Sequence, residues 1–221
     1  MKMIKNIFIS MFSLLLMSCQ NNTAQNQNAK QKALYDKEPI EAAETKEGYK
    51  KAYFASGCFW CVEAVYESVK GVKESISGYA GGHTENPTYE LSNTGTTGHA
   101  EAVEIIYDPE LIDFETLVDV YFGSQNVTQK NGQGPDIGSQ YRSIIFYQNK
   151  EQKAIVQNKI DELQKEYDKA IAAEVMPFQK FWVGEDYHQD YKKKHPNNPY
   201  ILNVSNPRFE KFKAKFPELL K

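Results

Sequence analysis

Apolar positions change their period several times along the chain, and each change marks an element. Residues 51–56 alternate as a strand that ends at Gly57. Cys61, Val62, Val65, Tyr66 and Val69 then recur at helical spacing, so a helix opens near Cys58–Trp60 and stops before Gly71. Residues 72–79 read as a second strand running into a glycine-rich turn, followed by a loop with a short helix after Pro87. Residues 100–107 alternate again and close at Asp108-Pro109. Asp113 is placed to cap a helix that carries Phe114, Leu117, Val118 and Tyr121 on one face. Residues 123–139 read as a long functional loop, 141–147 as a strand, and Val156, Ile160, Leu163 and Tyr167 as the apolar stripe of a helix. A further strand is expected over 171–175. From Pro196 the chain reads as an irregular tail with a short helix near its end. Strands interleaved with helices imply an α+β fold, a ferredoxin-like split β-α-β sandwich with additional loops.

The first residues follow a different pattern. Lys2 and Lys5 precede an apolar run from Ile7 to Met17, as in a secretory signal. That run is shorter than the roughly 20 residues needed to span a bilayer. It ends Leu16-Met17-Ser18-Cys19, which resembles the lipobox of bacterial lipoproteins. The resemblance implies removal of residues 1–18, lipid on the sulfur of Cys19 and an extracytoplasmic, membrane-anchored location on the periplasmic or cell-surface side. Residues 19–46 are rich in Asn, Gln, Lys, Glu and Ala, and read as a flexible linker that cannot bury enough surface to order itself. The folded domain is then expected over 47–221.

Composition narrows the function classes. The net charge of −3 supplies no basic footprint for nucleic acid. The run Lys192-Lys193-Lys194-His195 has acidic residues nearby and reads as a solvated helix face. Of the three cysteines, only Cys58 and Cys61 fall within the expected fold, which excludes a disulfide scaffold.

Cys58 and Cys61 form a C-x-x-C where a strand hands over to a helix. Unpaired N–H groups at such a helix start favour a thiolate, the nucleophilic form, so the expectation for Cys58 is a lowered pKa. As half of a zinc site the pair would draw on His83, His99, His188 and His195, whose spacing matches no common zinc pattern. Cys61 also shares the apolar face of Val65 and Val69, where a small buried hydrophobe would fit. Phe59 and Trp60 are either core or an apolar cup for a methyl-bearing group. Glu101 shares the strand face of Val103, Ile105 and Tyr107. If that face is inward, its carboxyl is desolvated and stays protonated as a proton donor; if not, it is an edge carboxylate near solvent.

With these residues in place, most of 50–200 resembles the peptide methionine-S-sulfoxide reductase family. The resemblance rests on Gly57-Cys58-Phe59-Trp60, on the run from Gly78 through Tyr89, on Gly98-His99-Ala100-Glu101-Ala102-Val103, on the run from Asp136 through Ser143, and on Tyr187-His188-Gln189. It implies thiolate attack by Cys58 on the sulfoxide sulfur of methionine sulfoxide, free or in oxidised proteins. Glu101 would give the proton, Tyr89 and Tyr141 would hydrogen-bond the oxygen, Asp136 would support the site, and Phe59 and Trp60 would hold the methyl group. No metal or cofactor enters this scheme. Cys58 would be left as sulfenic acid. Many family members recycle through C-terminal cysteines, and this chain has none there. Cys61 is therefore the expected resolving cysteine, with a thioredoxin-like electron donor. The rival reading is a thioredoxin-like C-x-x-C thiol-disulfide oxidoreductase, against which stand the polar stretch before the first strand and the bulky Phe-Trp between the cysteines. A non-enzymatic surface lipoprotein would leave the Cys, Glu and Tyr blocks without a purpose.

Overall fold

The computed structural model describes residues 26–221. The leader over 1–18 and the lipidation site Cys19 lie outside the described residues.

Six strands form one sheet: β1 (Lys50–Ala55), β2 (Val72–Ala80), β3 (Ala100–Tyr107), β6 (Ile144–Tyr147), β7 (Glu174–Pro177) and β8 (Phe181–Val183). Their order is β7-β6-β1-β3-β2-β8. The central four, β6-β1-β3-β2, pair antiparallel with one another, and β1 and β2 are bridged by helix α2 (Phe59–Glu67). This is the split β-α-β arrangement that the alternating pattern predicts, in a mixed α+β fold. β7 extends it in parallel beside β6, and β8 pairs antiparallel with β2. The strand expected at 171–175 therefore lies slightly later, and β8 was not expected at all. Three residues flanked by glycine and lysine carry too short a pattern to be read.

The two-residue period of the strands divides the interior. Ala52, Phe54, Val103, Ile105 and Ile145 face a core shared with α2, with α4 (Phe114–Gly123), with α5 (Lys150–Leu163) and with Phe212 of α7 (Asn206–Lys215). Tyr53, Ala55, Ala100, Ala102, Ile144 and Phe146 face a second cluster on the opposite side. Local caps agree with this layout. Asp113 accepts from Thr116 N at 2.8 Å, as its position before α4 predicts, and Thr88 accepts from Leu91 N at 3.3 Å to open α3 (Tyr89–Asn93). The expected long loop over 123–139 holds a small hairpin, β4 (Gly132–Gln133) against β5 (Asp136–Ile137).

Two segments depart from expectation. Residues 26–46 lie on the fold rather than hanging free. After a helix over 26–33, α1, the chain runs as a strap across the second cluster, with Leu34 and Ala42 packed against it. Ile40 N donates to Phe178 O at 2.8 Å, Ala42 N to Gln148 Oε1 at 2.8 Å, and Gln31 Nε2 to Gly81 O at 2.6 Å. These few apolar residues and backbone groups are ordered, despite the polar composition, because their partners are already laid out by the sheet. The tail beyond Pro196 is also ordered, with a π-helical turn at Ile201–Ser205 running into α7. The turn residues from Pro196 to Pro199 hide it, and Ser205 interrupts an otherwise helical stripe of Ile201, Phe209, Phe212 and Phe216. A short α6 (Tyr191–Lys194) precedes it.

Candidate active site

Cys58 sits at the hinge between β1 and α2, in the capping position before Phe59, with φ −56° and ψ 125°. The turn before it is held firmly. Gly57 has φ +77°, and a Cβ there would stand 2.5 Å from Gln133 Cβ, so only glycine fits. Arg208 of α7 donates to Ser56 O at 2.8 Å, Ser56 Oγ at 2.9 Å and Ser124 O at 2.7 Å, and Tyr121 Oη donates to Ala55 O at 3.1 Å.

Glu101 lies on β3 opposite Tyr79 of β2, on the inward face, and is 2% exposed. Its Oε2 accepts from Phe59 N at 3.0 Å, which brings the carboxyl beside the first turn of α2. Burial pushes its pKa up to about 8, with Asp136 and Cys61 adding to the rise and the Phe59 amide opposing it. The inward reading of the strand face is therefore the one realised, and the carboxyl carries a proton at neutral pH.

For Cys58 the expectation of a lowered pKa fails. Burial, at 6% exposure, raises the thiol well above its ordinary range, and the neighbouring Cys61 and Glu101 add to the rise. The first amide of the helix is spent on Glu101 rather than on sulfur. Cys61 is lowered instead, because the Cys58 thiol donates to it and Arg208 lies near. Within the pair, whose thiols are both free, Cys58 is therefore the one that holds its proton and Cys61 the one favoured as thiolate.

A cavity of about 250 Å³ gathers Cys58, Phe59, Trp60, Tyr89, Glu101, Asp136 and Tyr141, together with Asn198 and Tyr200. Every catalytic and substrate-binding residue expected from the sequence thus lines one space. Cys61 is not among the lining residues, although its sulfur lies 3.8 Å from Tyr200 Oη. Burial raises the phenol pKa of Tyr89 and of Tyr141, so both remain hydrogen-bond donors. Tyr141 Oη donates to Asn93 Oδ1 at 3.4 Å, a weak bond that leaves it free to turn to a ligand.

The aromatic cup has supports that the sequence reading missed. Trp60 stacks on Tyr191 with centroids 3.7 Å apart, and its Nε1 donates to His188 Nδ1 at 3.1 Å. His188 is fully buried against Phe59 and Tyr89, at 4.7 and 4.6 Å. Glu185 accepts from Tyr79 Oη at 2.7 Å and Tyr89 N at 2.9 Å, fixing the start of α3. Tyr200 donates to Asp136 Oδ2 at 2.5 Å. His188 falls in a sequence block and among the histidines weighed for zinc, neither of which signals this supporting place, and Glu185 and Tyr200 carry no local signal. Among the described residues, no group of three or more His, Cys, Asp or Glu is placed to hold a metal ion.

Comparison with known proteins agrees with this geometry. The sequence profile described as Peptide methionine sulfoxide reductase matches residues 50–220. A relative from Pasteurella multocida named peptide methionine sulfoxide reductase MsrA is 50% identical over 171 residues, covering 77% of this chain and 98% of that protein. One of the same name from Saccharolobus solfataricus is 46% identical over 170 residues, covering 77% and 96%. Among solved structures, methionine sulfoxide reductase A of Corynebacterium diphtheriae superposes with a TM-score of 0.62 at 31% identity, covering 74% of this chain and 84% of that one. Reduced Mxr1 from Saccharomyces cerevisiae also gives 0.62 at 31% identity, covering 71% and 91%. With a profile match over residues 50–220 and relatives at up to 50% identity across nearly their whole length, the chain belongs to the peptide methionine sulfoxide reductase family.

Proposed function

We propose that this enzyme reduces the S epimer of methionine sulfoxide, free or in proteins, with Cys58 as nucleophile and Glu101 as proton donor. As a family member it is an oxidoreductase acting on methionine sulfoxide. The observation that carries the residue roles is the buried, protonated Glu101 beside Cys58 in a cavity that also holds two phenols.

The sulfoxide oxygen faces Glu101, Tyr89 and Tyr141, while the methyl group rests against Phe59 and Trp60. Sulfur of Cys58 attacks the sulfoxide sulfur as its proton passes to the neighbouring Cys61 thiolate, and Glu101 gives its proton to the oxygen as negative charge gathers there. The oxygen passes to Cys58 as sulfenic acid and methionine leaves. Asp136, held by Tyr200, supports the wall behind the oxygen. Cys61 then attacks the sulfenic sulfur, its proton leaves with the hydroxyl as water, and a Cys58–Cys61 disulfide remains. A thioredoxin-like dithiol reduces that disulfide and is itself oxidised. The rival reading as a plain dithiol oxidoreductase gives Glu101 and the tyrosines nothing to do.

Lipid on Cys19 would hold the enzyme at a membrane outside the cytoplasm, supported by the signal and lipobox pattern of residues 1–19. An acyl mass on an N-terminal Cys19 in the mature protein tests this; an unmodified Cys19 refutes it. For the chemistry, the test is one turnover on separated sulfoxide epimers. Wild type should release one methionine per enzyme from the S epimer alone, and Cys58→Ser should release none. Turnover by Cys58→Ser would remove the assignment.

A further inference from the structure

Cys61 is 2% exposed, so the groups that act on its sulfur are those built around it. Cys58 stands beside it before α2, Glu101 lies near on β3 and Lys192 on α6. Tyr200 Oη is 3.8 Å away, with Asp136 bonded behind it. Arg208 approaches from α7, and Ser205 from the π-helical turn that precedes it. Lys192 lies over the ring of Phe209 at 3.6 Å, and Arg208 is locked by its three bonds to Ser56 and Ser124.

Ser205 is the member of this set with no other task. It is 1% exposed, and its Oγ makes no hydrogen bond to oxygen or nitrogen among the described residues. A serine opening a helix ordinarily accepts from an amide one turn on. Ser205 makes no such bond, because the π-helical turn runs straight into α7 and leaves Ser205 itself helical, at φ −68° and ψ −47°. A serine within a helix can instead donate back to a carbonyl one turn before. There Ile201 O already accepts from Asn206 N. An unpaired buried hydroxyl costs stability, and π-helical turns are frequent at functional sites. Ser205 also shares a helix face with Arg208, three positions on, and Cys61 Sγ is the polar atom that both approach.

We propose that Ser205 is a positioning residue for the thiol pair, its hydroxyl turned onto Cys61 Sγ so that Cys61 takes the proton of Cys58. The inference rests on the reading that this proton transfer accompanies attack on the sulfoxide. A hydroxyl serves both ends of the transfer. It donates to Cys61 while that sulfur is an anion, and accepts from it once the proton has arrived. Arg208 can only donate, so it supplies fixed positive charge and cannot follow the proton. No net charge enters the core, and Cys58 is left free to attack on the cavity side. The ordinary ranges of the two thiols move in the matching directions. Cys61 is lowered to about 6, with Ser205 among the groups that lower it, and Cys58 is raised.

The test is a titration of the reduced enzyme, following thiolate absorbance, beside first-turnover rates. In wild type one thiolate should appear with a midpoint at about pH 6, and Cys61→Ala should remove it. In Ser205→Ala the midpoint should move up by about one pH unit. First turnover in that variant should slow by about fivefold at pH 6 and hardly at pH 8. Ser205→Thr returns a hydroxyl and should restore both midpoint and rate. A packing role alone predicts no such pH dependence, because alanine fills the place without an unpaired oxygen. An unmoved midpoint in Ser205→Ala, equal slowing at both pH values, or threonine behaving as alanine would each overturn the proposal. A thiolate at about pH 6 that survives Cys61→Ala would instead remove the reading beneath it.

Discussion

Glu101 shows what a single side chain takes from sequence and what it takes from its surroundings. Alternation along residues 100–107 puts it on the inward face, and the surrounding burial lifts its pKa to about 8. A group that donates a proton must hold one, so the first-turnover rate should decline as pH rises through that value, along a one-proton limb. Glu101→Gln should cost roughly 10²–10⁴ in the chemical step and abolish that limb. Rapid-quench measurement of methionine release on both sides of pH 8 checks it; a wild-type profile in the variant would return Glu101 to a packing role. Tyr200 is the opposite case. Its partner Asp136 lies 64 positions away, and nothing in the sequence near either residue announces the pair.

At the level of single elements, helix α2 ties the nucleophile to the segment whose His188 and Tyr191 support the cup. Glu63 of α2 is 2% exposed and accepts from Asp190 N at 3.0 Å, just beyond His188 and before Tyr191. Asp190 holds a left-handed conformation at φ 55°, which this bond helps to fix. Burial raises the Glu63 pKa from 4.5 to about 7. A carboxyl raised on folding contributes stability fully below its unfolded pKa, and that contribution is lost as pH rises through the folded value. Wild type should therefore lose stability between about pH 5 and pH 8, with Glu63 accounting for on the order of 2–3 kcal/mol. Glu63→Gln keeps an acceptor for Asp190 without the charge, so its melting temperature should fall less over that interval. Equal slopes in thermal melts of the two proteins would show that Glu63 ionises without penalty. The helix itself was legible from the spacing of Cys61, Val65 and Val69, but its bond to Asp190 was not.

For the whole molecule, the strap over residues 34–46 is the feature that most changes the picture. It lies outside residues 50–220 matched by the family profile, yet it covers the side of the sheet where Tyr53 stacks on Phe178 at 3.8 Å. A chain beginning at residue 47 would expose that cluster and strip Gln148 of its bond from Ala42. The loss should be about 2–4 kcal/mol, from apolar contact and hydrogen bonds together. That corresponds to a melting temperature lower by roughly 5–15 °C. The cavity is built on the other side of the sheet, so single-turnover activity should persist below the melt. An unchanged melting temperature would mean that the strap is only a tether.

Strands and helices with strong periods, the position of Cys58 at a helix start and the inward face of Glu101 were all legible along the chain. These follow from the period of side-chain burial, which is a local property of the chain. The family was legible too, through blocks of residues whose order and spacing are one-dimensional facts. The remainder came from packing. The direction of the Cys58 pKa depends on how much water the assembled core excludes, and a helix start read alone gives the wrong sign. The partners of Asp136, Trp60 and Glu63 come from the C-terminal third, brought close only when β8 and α7 pack. That Cys58 lines the substrate cavity while Cys61 does not depends on how distant segments close around the pair. Contacts between distant positions have no period, and only the folded chain brings them together.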